Sequence, residues 1–230
     1  MRIYGLQKLT LLDYPGKAAC TVFTAGCNLR CPFCHNAALV NGDWGEPLDD
    51  GELFAFLEKR RGILDGVAIT GGEPTMQPDL PDFIRRVREL GYLVKLDTNG
   101  FYPDRLEPLL RTGAVDYVAM DIKSSPARYA AVAGLESVDL DAVRRSIRLL
   151  MEGPVAYEFR TTVVRELHTP DDIEEAARSI EGAERYFLQK FVDSGNILSG
   201  SFSACSDEEM HRLLERVRPY VKAAALRGVA

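Results

Sequence analysis

The sequence has few cysteines and no long apolar run, and each shortage excludes a class of protein. Five cysteines in 230 residues, three of them clustered, do not form the framework of a disulfide-stabilised secreted domain. No run of 18 apolar residues is present, so we expect no membrane span. Residues 1–16 contain Gln7, Lys8 and Asp13, which interrupt the apolar core that a signal peptide requires. We therefore expect a cytoplasmic protein with no membrane partner.

Blocks of lysine or arginine are also lacking. The chain carries 28 basic and 34 acidic residues, a net charge of -6, which argues against nucleic acid as a partner. The Gly71–Gly72 pair matches neither the dinucleotide fingerprint G-x-G-x-x-G nor a P-loop. What remains is an ordinary composition for a soluble globular enzyme, 46% hydrophobic and 27% charged.

Short β-type runs alternate with helical patterns along the whole chain. Six apolar, β-branched runs predict strands, at residues 18–26, 65–74, 92–100, 115–123, 155–164 and 185–193. Alternating strands and helices predict an α/β fold with a parallel sheet and outer helices. Six strands are too few for a closed eight-stranded barrel, which leaves an open barrel-like sheet or a doubly wound sheet. Without a repeat or a linker, residues 1–230 are expected to form one domain.

The helices lie between the strand runs and show apolar residues at 3.6-residue spacing. The four clearest patterns cover residues 80–90, 140–150, 169–180 and 206–221. Thr169 is the expected N-cap of the third pattern, with Pro170 at its first helical position. Ser206 and Glu209 form a capping-box signature at the start of the fourth. These start signals fix where two of the helices should begin.

Polar and cysteine-containing motifs follow the predicted strands. The motifs in chain order are "CNLRCPFCHN", "GGEP", "DTNG" and "DIK", then Arg160 in the fifth run and "QKF" in the sixth. In either architecture, functional residues gather at the carboxyl ends of the strands. We therefore expect these six groups to meet at one rim of the sheet.

The cysteine loop has the spacing C-x3-C-x2-C, formed by Cys27, Cys31 and Cys34. Thiolates are the usual ligands of iron–sulfur clusters, and three of them would leave one iron of a four-iron cluster open to another molecule. A structural zinc site needs a fourth ligand, and a second C-x2-C pair is missing, although Cys20 or Cys205 could fold in. Three unligated structural thiols are the third alternative.

The other cysteines and the histidines are expected to be structural. Cys20 lies inside an apolar run and is interpreted as a small buried hydrophobe. Cys205 precedes the last helix and is also read as structural. His168 is expected to be a loop or cap residue, and His211 to be solvated on the last helix.

The "TGGEP" turn offers two flexible positions beside a carboxylate. Gly71 and Gly72 would let the chain approach a ligand closely. Glu73 and nearby carbonyls would accept hydrogen bonds from a cationic amine. A tight strand–helix turn without a ligand is the alternative interpretation.

Two carboxylates, Asp97 and Asp121, are expected at neighbouring strand ends. With Thr98 they supply oxygen ligands that suit a hard cation. A positive side chain between them is the structural alternative, and Lys123 is the candidate. Lys123 and Arg160 are also candidates for binding a ligand carboxylate, Arg160 through its bidentate fork.

Taken together, these motifs resemble a known family. "CNLRCPFCHN", "GGEP", "LDTNG" and "AMDIK" occur in the order found in radical S-adenosylmethionine (SAM) enzymes of the glycyl-radical-enzyme activase group. The segment "GLQKLTLLDYPGK" makes the chain most similar to activating proteins of anaerobic ribonucleoside-triphosphate reductase. It is also similar to pyruvate formate-lyase activating enzyme. The resemblance implies the radical SAM fold, a partial (β/α)6 TIM-like barrel.

The resemblance implies a mechanism. Cys27, Cys31 and Cys34 would bind a [4Fe-4S] cluster, and SAM would chelate its open iron. An electron from a flavodoxin- or ferredoxin-like donor would cleave SAM, and the 5'-deoxyadenosyl radical would take hydrogen from a glycine of the partner reductase. The alternative substrate is another glycyl-radical enzyme or a peptide that is to be modified. The alternative without catalysis is that the protein is a zinc-binding interaction module. Because no cysteine lies between residues 34 and 205, only one cluster is expected.

The resemblance also implies residue roles in the SAM site. The implied SAM-binding residues are Phe33, Gly71, Gly72, Glu73, Thr98, Asp121, Lys123 and Arg160. Phe33 would lie near the adenine, and residues 71–73 would surround the amino group. Lys123 and Arg160 would lie near the carboxylate or the incoming peptide.

The resemblance also implies a cation site, and the sequence differs from the family in one segment. Asp97, Thr98, Asp121 and the carbonyl of Ala119 resemble a monovalent-cation site found in a family member. The sixth strand of formate-lyase activases ends in a Pro-Tyr-His type of sequence. Here the segment reads "LQKFVDSG", so no histidine is carried over to that part of the SAM site.

Overall fold

One sheet organises the protein. The computed structural model describes residues 1–42, 44–193 and 195–229. Within these residues, eight strands lie side by side in chain order. They are β1 (Ile3–Thr10), β2 (Ala19–Thr24), β3 (Gly66–Gly71), β4 (Leu93–Thr98), β5 (Tyr117–Asp121), β6 (Ala156–Val163), β7 (Tyr186–Lys190) and β8 (Ala224–Arg227). β1 runs antiparallel to β2, and every later neighbour is parallel.

Helices connect the parallel strands. They are α1 (Ala37–Asn41), α2 (Asp50–Lys59), α3 (Leu80–Glu89), α4 (Pro103–Arg111), α5 (Tyr129–Ala133), α6 (Leu140–Glu152), α7 (Pro170–Arg178) and α8 (Asp207–Val217). Short 3-10 turns occur at Pro74–Met76 and Arg218–Tyr220. Thr169 caps α7, and Ser206 with Glu209 forms the capping box of α8, as predicted.

The predicted α/β fold is confirmed, and the strand count is corrected. The six predicted runs are β2 to β7, in parallel as expected. β1 and β8, at the two edges of the sheet, were not predicted. β1 mixes Gly5 with Gln7 and Lys8, and β8 has only four residues, so neither shows a clear strand pattern. No β1–β8 pairing closes the sheet within the described residues. The single-domain assignment stays a prediction.

The hydrophobic core lies between the sheet and the helices. Alternate residues of the central strands, such as Val94 and Leu96 of β4, are fully buried in it. The intervening positions face the other way and are polar: Asp97 on β4 forms ion pairs with Lys95 of the same strand and with Arg160 on β6. One face of the sheet is therefore charged at these strands, while the opposite face carries the apolar packing.

The carboxyl ends of β2 to β7 all lie at one rim, because these strands are parallel and adjacent. Every predicted motif follows one of these strands, so the topology brings the motifs together. Among the described residues, none of the helices combines the length and the apolar character needed to cross a bilayer.

Candidate functional site: a thiol-lined cavity at the carboxyl rim

The cysteine loop, residues 25–36, connects β2 to α1 and forms one wall of a cavity of about 330 Å³. Cys27, Cys31 and Cys34 all line this cavity, and each is a free thiol. Cys31 is almost fully buried, at 7% exposure. The volume lies in the range of small-ligand sites. The three thiols therefore converge on one space, as the spacing predicted.

Backbone hydrogen bonds from four other segments hold the loop. Gly26 donates to Leu39 O at 2.8 Å and accepts from Glu73 N at 2.8 Å. Arg30 N donates to Ala133 O at 2.9 Å, and Pro32 O accepts from Ser199 N at 3.0 Å. Without regular secondary structure, the loop satisfies its backbone groups through these contacts. Its thiols are positioned by tertiary contacts rather than by local sequence.

The sulfur of Cys27 receives hydrogen bonds. The backbone N–H of Leu29 lies 3.4 Å from it, and the amide nitrogen of Asn99 lies 3.8 Å away. Burial raises the pKa of the Cys27 thiol to about 11 and also raises that of Cys31. In the metal-free chain these thiols are therefore protonated at neutral pH, so binding of a metal would release protons.

The two glycines of "TGGEP" allow close packing against the cysteine loop. Gly71 has φ +117°, and a Cβ there would overlap the backbone of Thr24. A Cβ on Gly72 would overlap the carbonyl oxygen of Gly26, immediately before Cys27. From the sequence, the two glycines were expected either to let a ligand approach closely or to form a tight strand–helix turn. In the structure they line the cavity, but the close approach is made by the protein backbone.

Replacing Gly72 with alanine is expected to displace the cysteine loop, because the new methyl group meets backbone atoms that cannot rotate away. We expect a loss of about 1–3 kcal/mol in unfolding free energy, the usual cost of overpacking, and weaker iron uptake after anaerobic reconstitution. Gly91→Ala is the control, since nothing lies within 4 Å of its Cβ position; Gly91 has a positive φ, which Gly72 does not share, so any loss in this variant comes from its backbone and not from a clash with the cysteine loop. Equal iron uptake by the two variants would contradict this account of Gly72.

Glu73 is buried, at 1% exposure, and its carboxylate is already hydrogen-bonded by the protein. One oxygen accepts from the backbone and hydroxyl of Thr75 and from the Thr98 hydroxyl; the other accepts from Asn99 N at 2.7 Å. Burial raises the pKa of Glu73 despite these donors. Its hydrogen bonds join the ends of β3 and β4. Because both carboxylate oxygens of Glu73 already accept hydrogen bonds from the protein, an amine bound at this wall would donate to backbone carbonyls more readily than to Glu73.

Asp97 and Asp121 face each other across the guanidinium of Arg160. Arg160 Nη1 lies 3.2 Å from Asp97, and its Nε lies 2.9 Å from Asp121. Lys95, on the same strand as Asp97, forms a second ion pair with it. Lys123 Nζ lies 3.0 Å from Asp121. The positive group between the two carboxylates is therefore an arginine, where the sequence reading considered Lys123.

These charges set the protonation states at the rim. Burial alone would raise the pKa of Asp121, but Arg160 and Lys123 outweigh it and lower the pKa to about 2. Asp97 is likewise lowered, by Arg160 and Lys95, against its burial. The pKa of Lys123 is raised by Asp121 although burial opposes its charge. Asp97, Asp121 and Lys123 are therefore ionised at neutral pH.

The predicted cation ligands are only partly brought together. Asp97, Thr98 and Asp121 line the cavity, whereas Ala119 lies within β5, fully buried. The Thr98 hydroxyl donates to Glu73, and both carboxylates are paired with cationic side chains. A monovalent cation here stays a prediction, and it would have to replace these partners.

The other predicted residues lie at the cavity, and the structure adds further ones. Phe33, Lys123 and Arg160 all line it. The lining residues that were not selected from the sequence are Leu29, His35, Asn36, Val40, Thr70, Asn99, Thr162, Gln189 and Lys190. Most of these residues lie inside the quoted motifs or at the ends of the strands that precede them. Their position at a strand end was therefore the sequence feature that could have identified them as lining residues. Ser194 of the sixth-strand segment lies outside the described residues.

The two remaining cysteines lie away from this cavity. Cys20 is fully buried in β2, as expected for a small hydrophobe, and Cys205 is buried before α8. Neither lines the thiol-lined cavity. Among the described residues, no group of three His, Cys, Asp or Glu side chains is placed to hold a single metal ion.

The residues present fit an iron–sulfur cluster with an additional ligand. Three thiols face one cavity, and two N–H donors point at the sulfur of Cys27, the kind of hydrogen bond that tunes iron–sulfur clusters.

The mostly parallel sheet, its outer helices and the thiol-lined cavity at its carboxyl rim define an open, barrel-like α/β protein with a candidate metal centre. Residues 21–180 match the model of the radical SAM superfamily. This match covers more than half of the chain and includes most of β2, the cysteine loop and β3 to β6. The protein belongs to the radical SAM superfamily.

Curated relatives include activating enzymes. The chain is 32% identical over 198 residues to a Methanocaldococcus jannaschii protein provisionally named a glycyl-radical enzyme activating enzyme; the match covers 82% of this chain and 79% of the relative. It is 35% identical over 127 residues to the pyruvate formate-lyase-activating enzyme of Clostridium pasteurianum, covering 53% of this chain and 52% of that enzyme. The chain is thus a radical SAM enzyme homologous to glycyl-radical enzyme activating enzymes.

A solved structure shows the same fold. Streptococcus suis SuiB bound to S-adenosylmethionine superposes with a TM-score of 0.69 at 17% identity, covering 89% of this chain and 49% of SuiB. The expected radical SAM fold, a partial barrel of parallel strands with outer helices, is confirmed by this similarity and by the sheet topology.

Proposed function

We propose that this protein is a radical SAM activase that generates a glycyl radical on a partner enzyme, and that the partner is an anaerobic ribonucleoside-triphosphate reductase. The observation that carries the proposal is the convergence of Cys27, Cys31 and Cys34 on one rim cavity. The relative from Methanocaldococcus jannaschii supports the activase class. The segment "GLQKLTLLDYPGK", residues 5–17, supports the choice of partner.

Three cysteines would hold the cluster. Cys27, Cys31 and Cys34 supply the thiolates, and the N–H groups of Leu29 and Asn99 would stabilise the charge on the first sulfur. When bound, the cluster would supply the electron that cleaves SAM and starts radical chemistry. The chain's own part is to bind the two groups, orient them and exclude water from the cavity.

Charged side chains would hold the carboxylate of SAM. Lys123 lines the cavity, and within the described part of the chain its ammonium forms one ion pair, with Asp121. Arg160 is committed to Asp97 and Asp121 through Nη1 and Nε, and is 14% exposed. We therefore assign the direct contact with the carboxylate to Lys123, while Arg160 fixes the two aspartates around it. Phe33, buried beside two cysteines, would pack against the adenine.

Anaerobic reconstitution with iron and sulfide tests the proposal. We expect about four irons per chain and formation of 5'-deoxyadenosine when SAM and dithionite are added. A flavodoxin- or ferredoxin-like protein should replace dithionite as the electron donor. Zinc at one atom per chain with no iron in anaerobically purified protein would support the zinc-module alternative and would rule out the proposal.

The partner is tested separately from the cofactor chemistry. The loaded enzyme is mixed with SAM and, in parallel, with an anaerobic reductase, pyruvate formate-lyase or a candidate precursor peptide. A glycyl radical detected by electron paramagnetic resonance on the reductase alone is the expected result. A radical on formate-lyase alone, or modification of the peptide without a glycyl radical, would keep the radical SAM chemistry and reject the proposed partner.

A further inference from the structure

His168 lies in the loop between β6 and α7, immediately before the Thr169 cap. From sequence alone it was read as a loop or cap residue. Its side chain is buried, at 8% exposure, and both ring nitrogens contact backbone atoms. Nδ1 lies 3.1 Å from the backbone N of Val164, and Nε2 lies 2.8 Å from the carbonyl oxygen of Lys123.

These contacts select one tautomer. Val164 N–H requires an acceptor, so Nδ1 must be unprotonated, and Nε2 then carries the hydrogen that it donates to Lys123 O. The opposite tautomer would let Nδ1 donate to Val164 O, at 3.2 Å, but would place two acceptors 2.8 Å apart at Lys123. Burial lowers the pKa of the imidazole, in agreement with this neutral form.

The hydrogen bond to Lys123 belongs to a set that fixes the segment after β5. The Ser125 hydroxyl donates to Asp172 of α7 at 2.6 Å. The Thr161 hydroxyl of β6 donates to the carbonyl of Ile122 at 2.6 Å. Residues 122–125 are thus tied to the neighbouring strand and helix on both sides of Lys123. Of these bonds, only the one from His168 holds the peptide group of Lys123 itself.

Lys123 connects this segment to the cavity. Its Nζ lies 3.0 Å from Asp121, and its side chain is 16% exposed at the cavity wall. The ammonium sits at the end of a flexible stem, so its position is set at two points: by the ion pair with Asp121 at its tip and by the backbone from which the stem starts. A carbonyl that is free to rotate would let the ammonium move away from the cavity.

We propose that His168 is a positioning residue, whose Nε2–H holds the Lys123 carbonyl and thereby keeps the Lys123 ammonium where a ligand carboxylate binds. This inference rests on the proposed function for the identity of that ligand, SAM. His168 itself does not line the thiol-lined cavity, so it acts through Lys123.

A pair of variants separates the two ring contacts. His168→Gln keeps a donor at the distance of Nε2, and His168→Asn keeps an acceptor at the distance of Nδ1 but cannot reach Lys123. SAM affinity is measured by equilibrium dialysis on cluster-loaded protein. We expect about fivefold weaker binding for the asparagine variant, the effect of one hydrogen bond, and near wild-type binding for glutamine. The KM for SAM should rise in the same way, with kcat unchanged.

Hydrogen–deuterium exchange provides a readout that needs neither cluster nor SAM. Exchange in the peptide that covers residues 121–129 should be faster in His168→Asn than in wild type, and restored in His168→Gln. Because each variant loses one hydrogen bond, their melting temperatures should be similar. A merely structural role would change stability without separating the two variants in SAM affinity.

Several outcomes would overturn the inference. Equal SAM affinity in both variants, or unchanged exchange near Lys123 in His168→Asn, would show that the Nε2 contact does not position this lysine. Wild-type protein that loads a cluster but binds no SAM would reject the proposed function, and with it the ligand assigned here. In that case the exchange data would still report separately whether His168 holds residue 123.

Discussion

Replacing Cys31 with alanine is expected to abolish cluster loading and all SAM cleavage while the fold survives. Iron content should fall from about four atoms per chain to a small residual value, because two thiolates cannot hold a four-iron cluster. Cys31 lies in the loop, outside the strands and helices, and its backbone bond to Cys34 N does not involve the thiol. Iron and sulfide analysis after reconstitution, with the visible absorption spectrum, measures the effect.

Cys205→Ala is the matched control for this variant. Cys205 has the same 7% exposure as Cys31 but lies outside the thiol-lined cavity, so it should load iron as wild type does. Both variants should keep the wild-type far-ultraviolet circular dichroism spectrum. Full iron content in Cys31→Ala would contradict the cluster assignment. Loss of the whole dichroism signal in that variant would contradict the location of the cofactor at the rim.

Replacing Arg160 with methionine is expected to give the largest loss of stability. Its guanidinium is 14% exposed and bridges Asp97 and Asp121, which would be left facing each other without it. Breaking a buried ion pair typically costs 3–5 kcal/mol. Asp121 is 31% exposed, and Lys95 and Lys123 remain, so we expect about 3 kcal/mol, near the low end of that range. Urea unfolding of the cofactor-free protein measures it.

Arg145→Met shows whether burial is the cause. Arg145 of α6 also bridges two carboxylates, Asp104 and Glu107, with distances of 2.6 Å, but its side chain is 42% exposed. Exposed ion pairs contribute little, so this variant should lose at most about 1 kcal/mol. If the two arginine variants lost the same free energy, the buried charged face of the sheet would not be the source of the effect. Each arginine forms two ion pairs, so the comparison tests whether the burial of the arginine decides the loss of stability.

Several predictions from sequence depended on local signals and were confirmed. The capping residues Thr169 and Ser206 begin their helices, because a cap is a contact between residues three positions apart. The six parallel strands were visible as apolar runs, because both faces of such strands carry little exposed surface. The edge strands β1 and β8 lacked that signal and were missed. β8 pairs with β7, a neighbour that is distant in sequence (Tyr186 with Ala224), whereas β1 pairs with the next strand, β2, and was missed because its own composition is mixed.

Other features could not be read from the sequence, because long-range contacts decide them. The carboxylate of Glu73 is used by Thr75, Thr98 and Asn99, and only the folded chain brings the ends of β3 and β4 together. The position of Arg160 between two aspartates depends on the register of β4, β5 and β6. His168 has no neighbour in sequence that indicates its bond to Lys123, 45 residues earlier.

The sequence by itself determined the chemistry available to this protein: three thiols in C-x3-C-x2-C spacing, a Gly-Gly-Glu turn and charged residues after successive strands. Each of these features is a residue type or a spacing of a few positions, so it can be read directly from the sequence. Only the tertiary structure decided which side chains are free to act. Burial and strand register commit Glu73 and Arg160 to protein partners while leaving the thiols and Lys123 at the cavity, because a buried polar group must take the partners that the fold places beside it.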